Sequence, residues 1–464
     1  MVEDRGRRRS RAPHLDKVRE PLLVGLLALV VLFGAYAVMG MFPIRSYGVA
    51  NDWRVYYAAA QMVRHGGALY NQVAAQVARQ AVWAYPQSRI PANSFLDLPI
   101  VAWLLTPITL LPFWASFVVS LVIGVLAAGI ALAVWMRDLG WQRFGPWLIA
   151  ALALRPMLQG FGSGQLDAIM LGAVVCSLLL LRRNLPWLAG LCMAVVLLKP
   201  DLLWPLPVLL FAVWTPGTGR PWRFAGAAAL VIAAGGLGGF VLVARSGDYF
   251  AHVLSLSSSS FGNAPSQMSG IPELLTHLPG GGALGDGVAL IGALCVLLLA
   301  GACLANGTLR RLPDRERGMV VLIGLAIWLA CTTYVHFYDD ALMLPLVVGL
   351  IGVRGQDLDL RWMGGGVLGC LGIMAAVDVS WILVDVILLI LIALWVARRR
   401  LVSPQSLGSV AVAAIVLLQL DESLFPAAVG LVAFTGVLWL VAKMRETPPV
   451  HATPNRSLVS PILV

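Results

Sequence analysis

FWASFVVSLVIGVLAAGIALAVWM, residues Phe113 to Met136, contains no charged side chain and stops at Arg137-Asp138. As a helix rising about 1.5 Å per residue, it is long enough to cross a hydrocarbon core of roughly 30 Å. Comparable apolar runs lie near 21–41, 97–112, 145–158, 165–181, 185–198, 202–214, 224–243, 285–304, 318–334, 340–353, 362–377, 381–397, 408–420 and 424–442. Several are too short to span alone and read as half-spans, re-entrant or tilted pieces, so about 11–14 true spans are expected. The chain is therefore expected to be an all-α polytopic membrane protein.

Composition agrees with that reading. Of 464 residues 59% are hydrophobic and 12% charged, with a mean hydropathy of +0.84. A soluble domain carries about a quarter charged residues. A soluble enzyme, a disordered regulator and a nucleic-acid module are excluded, although the net charge is +10. On a polytopic chain an excess of Lys and Arg marks cytoplasmic loops facing an anionic leaflet, so no nucleic-acid partner is expected. Cys176, Cys192, Cys295, Cys303, Cys331 and Cys370 sit in or beside apolar runs without CxxC spacing, and read as small lipid- or core-facing residues.

The basic stretch Arg5–Arg11 before the apolar run 21–41 predicts an uncleaved signal anchor starting in the cytoplasm. Ala35-Tyr36-Ala37 keeps a cleaved signal peptide as the competing reading. The expected layout is a cytoplasmic N-terminus (1–20), a transmembrane domain (21–443) and a cytoplasmic tail (444–464), in a plasma or inner membrane. If 97–112 stays membrane-adjacent on the far side, most basic residues fall inside. Arg54, Arg64, Arg155, Lys199 and Arg245 are among those left outside. Two long extracytoplasmic loops follow, 42–95 and 245–284. The second carries Ser255–Ser260 and Gly280–Gly282, and reads either as a flexible connector or as a segment that orders on substrate.

The first loop holds Asn51-Asp52-Trp53-Arg54-Val55-Tyr56-Tyr57, continuing to Gly66-Gly67 and Tyr70. Trp53, Tyr56, Tyr57, Ala60 and Val63 share one helical face, and Arg54, Gln61 and His65 another. The spacing predicts an amphipathic helix with its aromatic face at the headgroup boundary, stopped at Gly66-Gly67. Asp52 at its start is either an N-cap or a carboxylate placed to take a proton from an incoming hydroxyl.

Tyr334-Val335-His336-Phe337-Tyr338-Asp339-Asp340 lies at a predicted extracytoplasmic turn. Its His and two Asp suit metal binding, acid–base chemistry or a tight turn, and spacing alone leaves all three open. Arg155, Gln165 and Lys199 stand singly in apolar surroundings, where a charge is costly unless paired or lining a wet cavity. Lys199 reads either as a local ion pair with Asp201 or as part of a cationic pocket for a lipid phosphate.

Taken in order, these residues resemble glycosyltransferase family 87 (GT87, DUF2029), the polyprenyl-phosphate-mannose-dependent mannosyltransferases that include PimE-like enzymes. The resemblance rests on Asp52, Tyr56-Tyr57, Gly66-Gly67 and Tyr70, then Leu98-Pro99, Thr106-Pro107 and Leu111-Pro112. It continues through Gly164-Gln165-Leu166-Asp167, Ala189-Gly190 to Leu198-Lys199-Pro200, Ser266 to Gly270, and His336 with Tyr338-Asp339, covering roughly 45–345. Two places depart from the family pattern. Phe95-Leu96-Asp97-Leu98-Pro99 replaces a Tyr-Pro-Pro motif, and Asp167 stands where Asn is usual.

The resemblance implies a GT-C-type helical bundle with interfacial helices in the first extracytoplasmic loop and an extracytoplasmic active site. It implies a polyprenyl-phosphate sugar donor, most simply mannose, a lipid or glycan acceptor, and inverting transfer with Asp52 as general base. Lys199, with Arg155, Gln165 and His336, would face the donor phosphate, and Tyr56, Tyr57, Asp339 and Asp340 the substrates. No cofactor and no metal site are expected. A transporter or flippase of a lipid-linked saccharide is the alternative, although no internal repeat is evident. A noncatalytic scaffold has no need of these polar residues on one side.

Overall fold

A helix with no polar side to offer must bury its apolar surface in protein or lipid, and both solutions are used here. The computed structural model describes residues 50–71, 95–141, 144–152, 155–214, 221–243, 245–251, 270–276, 281–305, 312–336, 338–352 and 425–446. The expected signal anchor, the Ser-rich part of the second loop, the runs 362–377, 381–397 and 408–420, Cys370 and both termini lie outside the described residues. So do 42–49 and 72–94 of the first loop.

Among the described residues the fold is helical. In chain order the first elements are α1 (Asn51–Arg64), α2 (Pro99–Leu104), α3 (Phe113–Asp138), α4 (Gly145–Leu152), α5 (Arg155–Ser163) and α6 (Asp167–Arg182). Next come α7 (Pro186–Leu191), α8 (Pro200–Leu203), α9 (Pro205–Trp214) and α10 (Pro221–Leu242). The last are α11 (Ile271–Thr276), α12 (Gly281–Ala305), α13 (Asp314–Cys331), α14 (Leu344–Gly352) and α15 (Phe425–Glu446). Short 3₁₀ segments at Thr106–Leu110, Cys192–Leu197 and Asp339–Met343 join some of them.

Phe113–Asp138, Pro221–Leu242 and Ala283–Ala305 are each long and apolar enough to cross a bilayer, and most of their surface lies outside the protein core. On α10, Trp222 is 77% and Val241 83% exposed. Apolar surface on that scale belongs in lipid. The short apolar runs are broken where proline removes a backbone donor, at Pro186, Pro200 and Pro205, which turns 185–214 into a chain of helical pieces. Broken backbone at membrane depth is tolerated only where protein or a wet cavity covers it, and this is the stretch that carries Lys199.

Without a hydrophobic drive between helices in lipid, close packing at small residues takes its place. A Cβ built on Gly190 of α7 would lie 2.6 Å from the Phe224 carbonyl and 2.7 Å from Ala227 Cβ of α10, so these backbones meet at a distance only glycine permits. Indole hydrogen bonds tie distant elements. Trp135 donates to the Pro345 carbonyl at 3.0 Å and Trp328 to the Asp201 carbonyl at 2.9 Å.

Two apolar clusters result. The larger is formed by α3, α6, α9 and α13, and the smaller gathers Trp53, Tyr56, Phe95, Ile100, Phe117, Leu166 and Leu197. Leu166 belongs to the smaller and Ala168 to the larger, so Asp167 stands on the seam between them.

Helix α1 forms as its spacing predicts and stops at Gly66, whose φ is +70. Its aromatic face corrects the expectation of a headgroup setting. Trp53 is 0%, Tyr56 4% and Tyr57 5% exposed, and the Trp53 indole donates to Ser116 Oγ at 3.0 Å. The face packs on protein rather than lipid, because the neighbouring α3 and the 95–101 segment supply Phe95, Ile100 and Phe117 to receive it. Full burial of a large apolar side chain contributes about 1.5–3 kcal/mol, so this face anchors the first loop to the bundle.

Candidate functional site

The first turn of α1 is held in place by the loop that follows α5. Ala50, at φ 56, precedes the helix, and its backbone N–H donates to the Gly162 carbonyl at 2.7 Å. Helix α5 ends at Gly164 in a left-handed conformation, φ +80, with the N–H groups of Gly164 and Gln165 donating to the Gly160 carbonyl at 3.0 and 2.9 Å. A Cβ on Gly164 would lie 2.5 Å from Trp53 Cβ. The loop and α1 thus touch backbone to backbone, and the position serves both a conformation and a contact that other residues resist.

That contact gives a prediction. Gly164→Ala combines left-handed strain of about 1–2 kcal/mol with direct overlap at Trp53, and is expected to lower the unfolding temperature strongly and abolish function. Gly66→Ala, also at positive φ but with open space around its Cβ, should show the strain alone. Thermal unfolding of the two purified variants checks the difference; equal shifts would contradict the packing argument.

Asp52 occupies the second position of α1 and does not cap it; Ala50 holds the cap position with no side-chain bond. The carboxylate is half-buried, with the Gln165 and Ser163 side chains near enough to favour its charged form. Burial raises its pKa above the ordinary carboxylate value, partly offset by Gln165, by the charge of Lys199 and by Ser163. Gln165 also accepts from the Tyr56 hydroxyl at 3.2 Å.

Of the two readings of Lys199, the local ion pair with Asp201 is not formed; its partners are Asp167 and Asp339. Its Nζ lies 3.2 Å from Asp167 Oδ1 and 2.5 Å from Asp339 Oδ1, and 4.8 Å from the centre of the Tyr338 ring. A fixed proline after Lys199 starts α8 and carries Asp201 into the next turn, while the bundle brings in two carboxylates from far along the chain. The lysine side chain is 11% exposed and its partners 2% and 1%.

Asp339 Oδ2 accepts the His336 backbone N–H at 2.9 Å, and the Asp339 N–H donates to the His336 carbonyl at 2.8 Å. Of the readings left open for this stretch, the tight turn is therefore present. The His336 ring stacks on Tyr338 with centroids 5.0 Å apart. Burial, with Lys199 adding to it, pushes the His336 pKa down to about 4 against the pull of Asp339. The imidazole is thus neutral at physiological pH, and offers a hydrogen bond rather than a charge.

The structure brings together Asp52, Tyr56, Gln165, Lys199, Asp339 and His336. Tyr57 points away; its hydroxyl donates to the Leu111 carbonyl at 2.7 Å and its ring meets Phe113 edge-on. Asp340 is buried beside Asp339. Arg155 begins α5, and its side chain lies outside the described atoms. Ser163, Asp167 and Asp97 are at or near the site without having been expected there, Asp97 and Asp167 having stood out only as departures from the family pattern. The Asp97 carboxyl is pushed up to about 7 by burial and by Asp201 and Asp339, against the pull of Lys199. Asp97 and Asp167 are lone acids in apolar surroundings, the same signal that drew attention to Lys199.

The described helices thus set a half-buried carboxylate beside a buried lysine–dicarboxylate cluster in a broken-helix membrane bundle. Residues 95–333, just over half of the chain, match Glycosyltransferase family 87, and the chain belongs to that family. It is a membrane glycosyltransferase, with a sugar donor and an acceptor as its substrates. No curated protein and no solved structure matches the chain. The matched region holds Gln165, Asp167 and Lys199, whereas Asp52 precedes it and His336 and Asp339 follow it.

Proposed function

We propose that this glycosyltransferase moves mannose from a polyprenyl-phosphate donor to a hydroxyl of a lipid or glycan acceptor on the extracytoplasmic face, with inversion, using Asp52 as general base. The observation that carries the reading is the state of Asp52. It is half-buried, caps no helix, and stands beside the neutral side chains of Gln165 and Ser163, within reach of the charge of Lys199. A carboxylate held in this way keeps its negative charge available for a proton.

In the proposed step the acceptor O–H gives its proton to the Asp52 carboxylate while the oxygen bonds to the anomeric carbon. The bond from that carbon to the phosphate oxygen breaks, and its electron pair leaves on the polyprenyl phosphate. The leaving group is already a stable anion, so a countercharge matters more than a strong acid. Lys199 is the buried cation nearest to that task. To serve a phosphate it exchanges one carboxylate partner for a phosphate oxygen, with Arg155 and His336 as the further donors proposed. Tyr56, Asp339 and Asp340 are proposed to contact the sugars.

The donor class is tested by supplying the purified, liposome-reconstituted protein with mannose carried either on polyprenyl phosphate or on a nucleotide. Label is expected in the acceptor from the lipid-linked donor alone. Direct transfer from the nucleotide sugar at a similar rate would overturn the reading. The pH profile offers a separate check. Because burial raises the Asp52 pKa, and only the ionised form can accept a proton, activity should fall as pH drops. The fall should begin above the ordinary aspartate range near about 4, and an acid limb at or below that range would contradict it.

A further inference from the structure

We infer that Asp167 is the carboxylate that gives up Lys199 when a donor phosphate arrives, taking a proton from solvent on Oδ2, while Asp339 keeps its hold on the lysine. This inference rests on the reading of Lys199 as the countercharge to the phosphate. Asp167 is then a positioning residue that acts through that lysine, and donor binding takes up one proton.

A phosphate joining the cluster as it stands would set three anions around one cation, in a place almost closed to water. A buried charge without a countercharge is costly, so an anion enters only as the cluster sheds one negative charge. The two carboxylates are not equal in this. Asp339 Oδ1 lies 2.5 Å from Nζ and its Oδ2 accepts the His336 N–H at 2.9 Å, so both oxygens are engaged. Asp167 meets Nζ at 3.2 Å through Oδ1 alone, and its Oδ2 has no hydrogen-bond partner although the side chain is almost wholly buried. An ionised carboxylate only accepts, whereas a protonated one carries an O–H. Protonating Asp339 therefore disturbs a bond already made, and protonating Asp167 on Oδ2 disturbs none.

The surroundings of Oδ2 suit a neutral carboxyl group better than an ion. A Cβ built on Gly160 would lie 3.6 Å from Oδ2 and 3.7 Å from Tyr338 Cβ, so this oxygen faces a point of α5 that carries no side chain. Helix α3 meets α6 through Gly124 and Ala127, opposite Ala168 and Gly172, and brings no charge there. The titratable and charged groups gathered about Asp167 are Lys199 ahead of α8, Asp339 and Tyr338 in the turn, and Tyr56 on α1. Lys199 is the one cation in that set, and it is the group the phosphate draws away. A phosphodiester donor brings one negative charge, so one proton on Asp167 returns the cluster to its charge before binding.

Donor affinity measured against pH tests this. Calorimetric titration of the purified protein with polyprenyl-phosphate mannose, in two buffers of different ionisation enthalpy, is expected to show about one proton taken up per donor bound. The donor-bound form holds the extra proton, so lower pH favours binding; over the range of uptake Kd should rise about tenfold per pH unit. Asp167→Asn has nearly the same shape and is already neutral. It should show no uptake and a flat Kd across that range, binding the donor about tenfold more tightly than the unaltered protein one pH unit into it. An Asp167→Asn protein that keeps the slope, or binds the donor more weakly, would overturn the inference. Should that variant fail to fold, the unaltered protein is compared with Asp52→Asn and His336→Gln. Uptake that survives both supports the inference, and uptake lost with either, or absent from the start, overturns it. Donor binding without proton uptake defeats the inference alone, whereas no binding of the lipid-linked donor at any pH defeats the reading on which it rests.

Discussion

Asp52→Asn is expected to reduce sugar transfer by about 10²–10⁴-fold, the usual contribution of a general base, while the protein remains folded in the membrane. The size of the effect follows from what the substitution leaves alone. Asn has the same shape, and Asp52 does not cap α1, so no capping bond is lost. A carboxylate in the first helical turn interacts with the helix dipole, but this amounts to about 0.3–1 kcal/mol at most exposed sites. Stability and activity should therefore separate. Turnover at saturating donor and the unfolding temperature, measured on the same preparation, check this. Transfer within a few-fold of the unaltered protein would remove Asp52 from the chemistry, and a large fall in unfolding temperature would assign it a structural role.

Lys199→Met is expected to have the opposite signature, with folding lost along with activity. The substitution leaves Asp167 and Asp339, almost wholly buried, facing each other without their cation. Breaking a buried ion pair by removing one partner costs about 3–5 kcal/mol, because the remaining charge has no solvent to return to. Adding Asp167→Asn and Asp339→Asn to Lys199→Met removes the stranded charges and should restore a monodisperse protein, though not transfer. Size-exclusion profiles and thermal unfolding of the single and triple variants make the comparison. A stable, inactive Lys199→Met protein would show that the cluster contributes little to the fold.

Much of the local structure was legible in the sequence because its causes are local. The 3.6-residue spacing from Trp53 to Val63 predicts α1, Gly66 stops it, and prolines 186, 200 and 205 mark where the apolar runs break. What an apolar face packs against is not a local property. The same periodicity that suits Trp53, Tyr56 and Tyr57 to a headgroup layer suits them to a protein cleft, and Phe95 and Phe117 decide the matter from elsewhere in the chain.

The partners of Lys199 were hidden for a similar reason. Asp201 is two residues away, but Asp167 and Asp339 are 32 and 140 residues distant, and only the packing of α6 and the 336–340 turn brings them in. Gln165 is a case in between. Its isolation in an apolar run singled it out before the family resemblance did, and its place beside Tyr56 came from the contact of two backbones at Gly164.

The anomeric configuration of the product tests the account most directly. A single carboxylate base acting on the acceptor, with the phosphate leaving from the opposite side, permits one displacement and therefore one inversion. From a β-linked polyprenyl-phosphate mannose the account predicts an α-mannoside, read by nuclear magnetic resonance at the anomeric position of the isolated product. A β-mannoside would require a second displacement, and with it a nucleophile in place of the base proposed at Asp52.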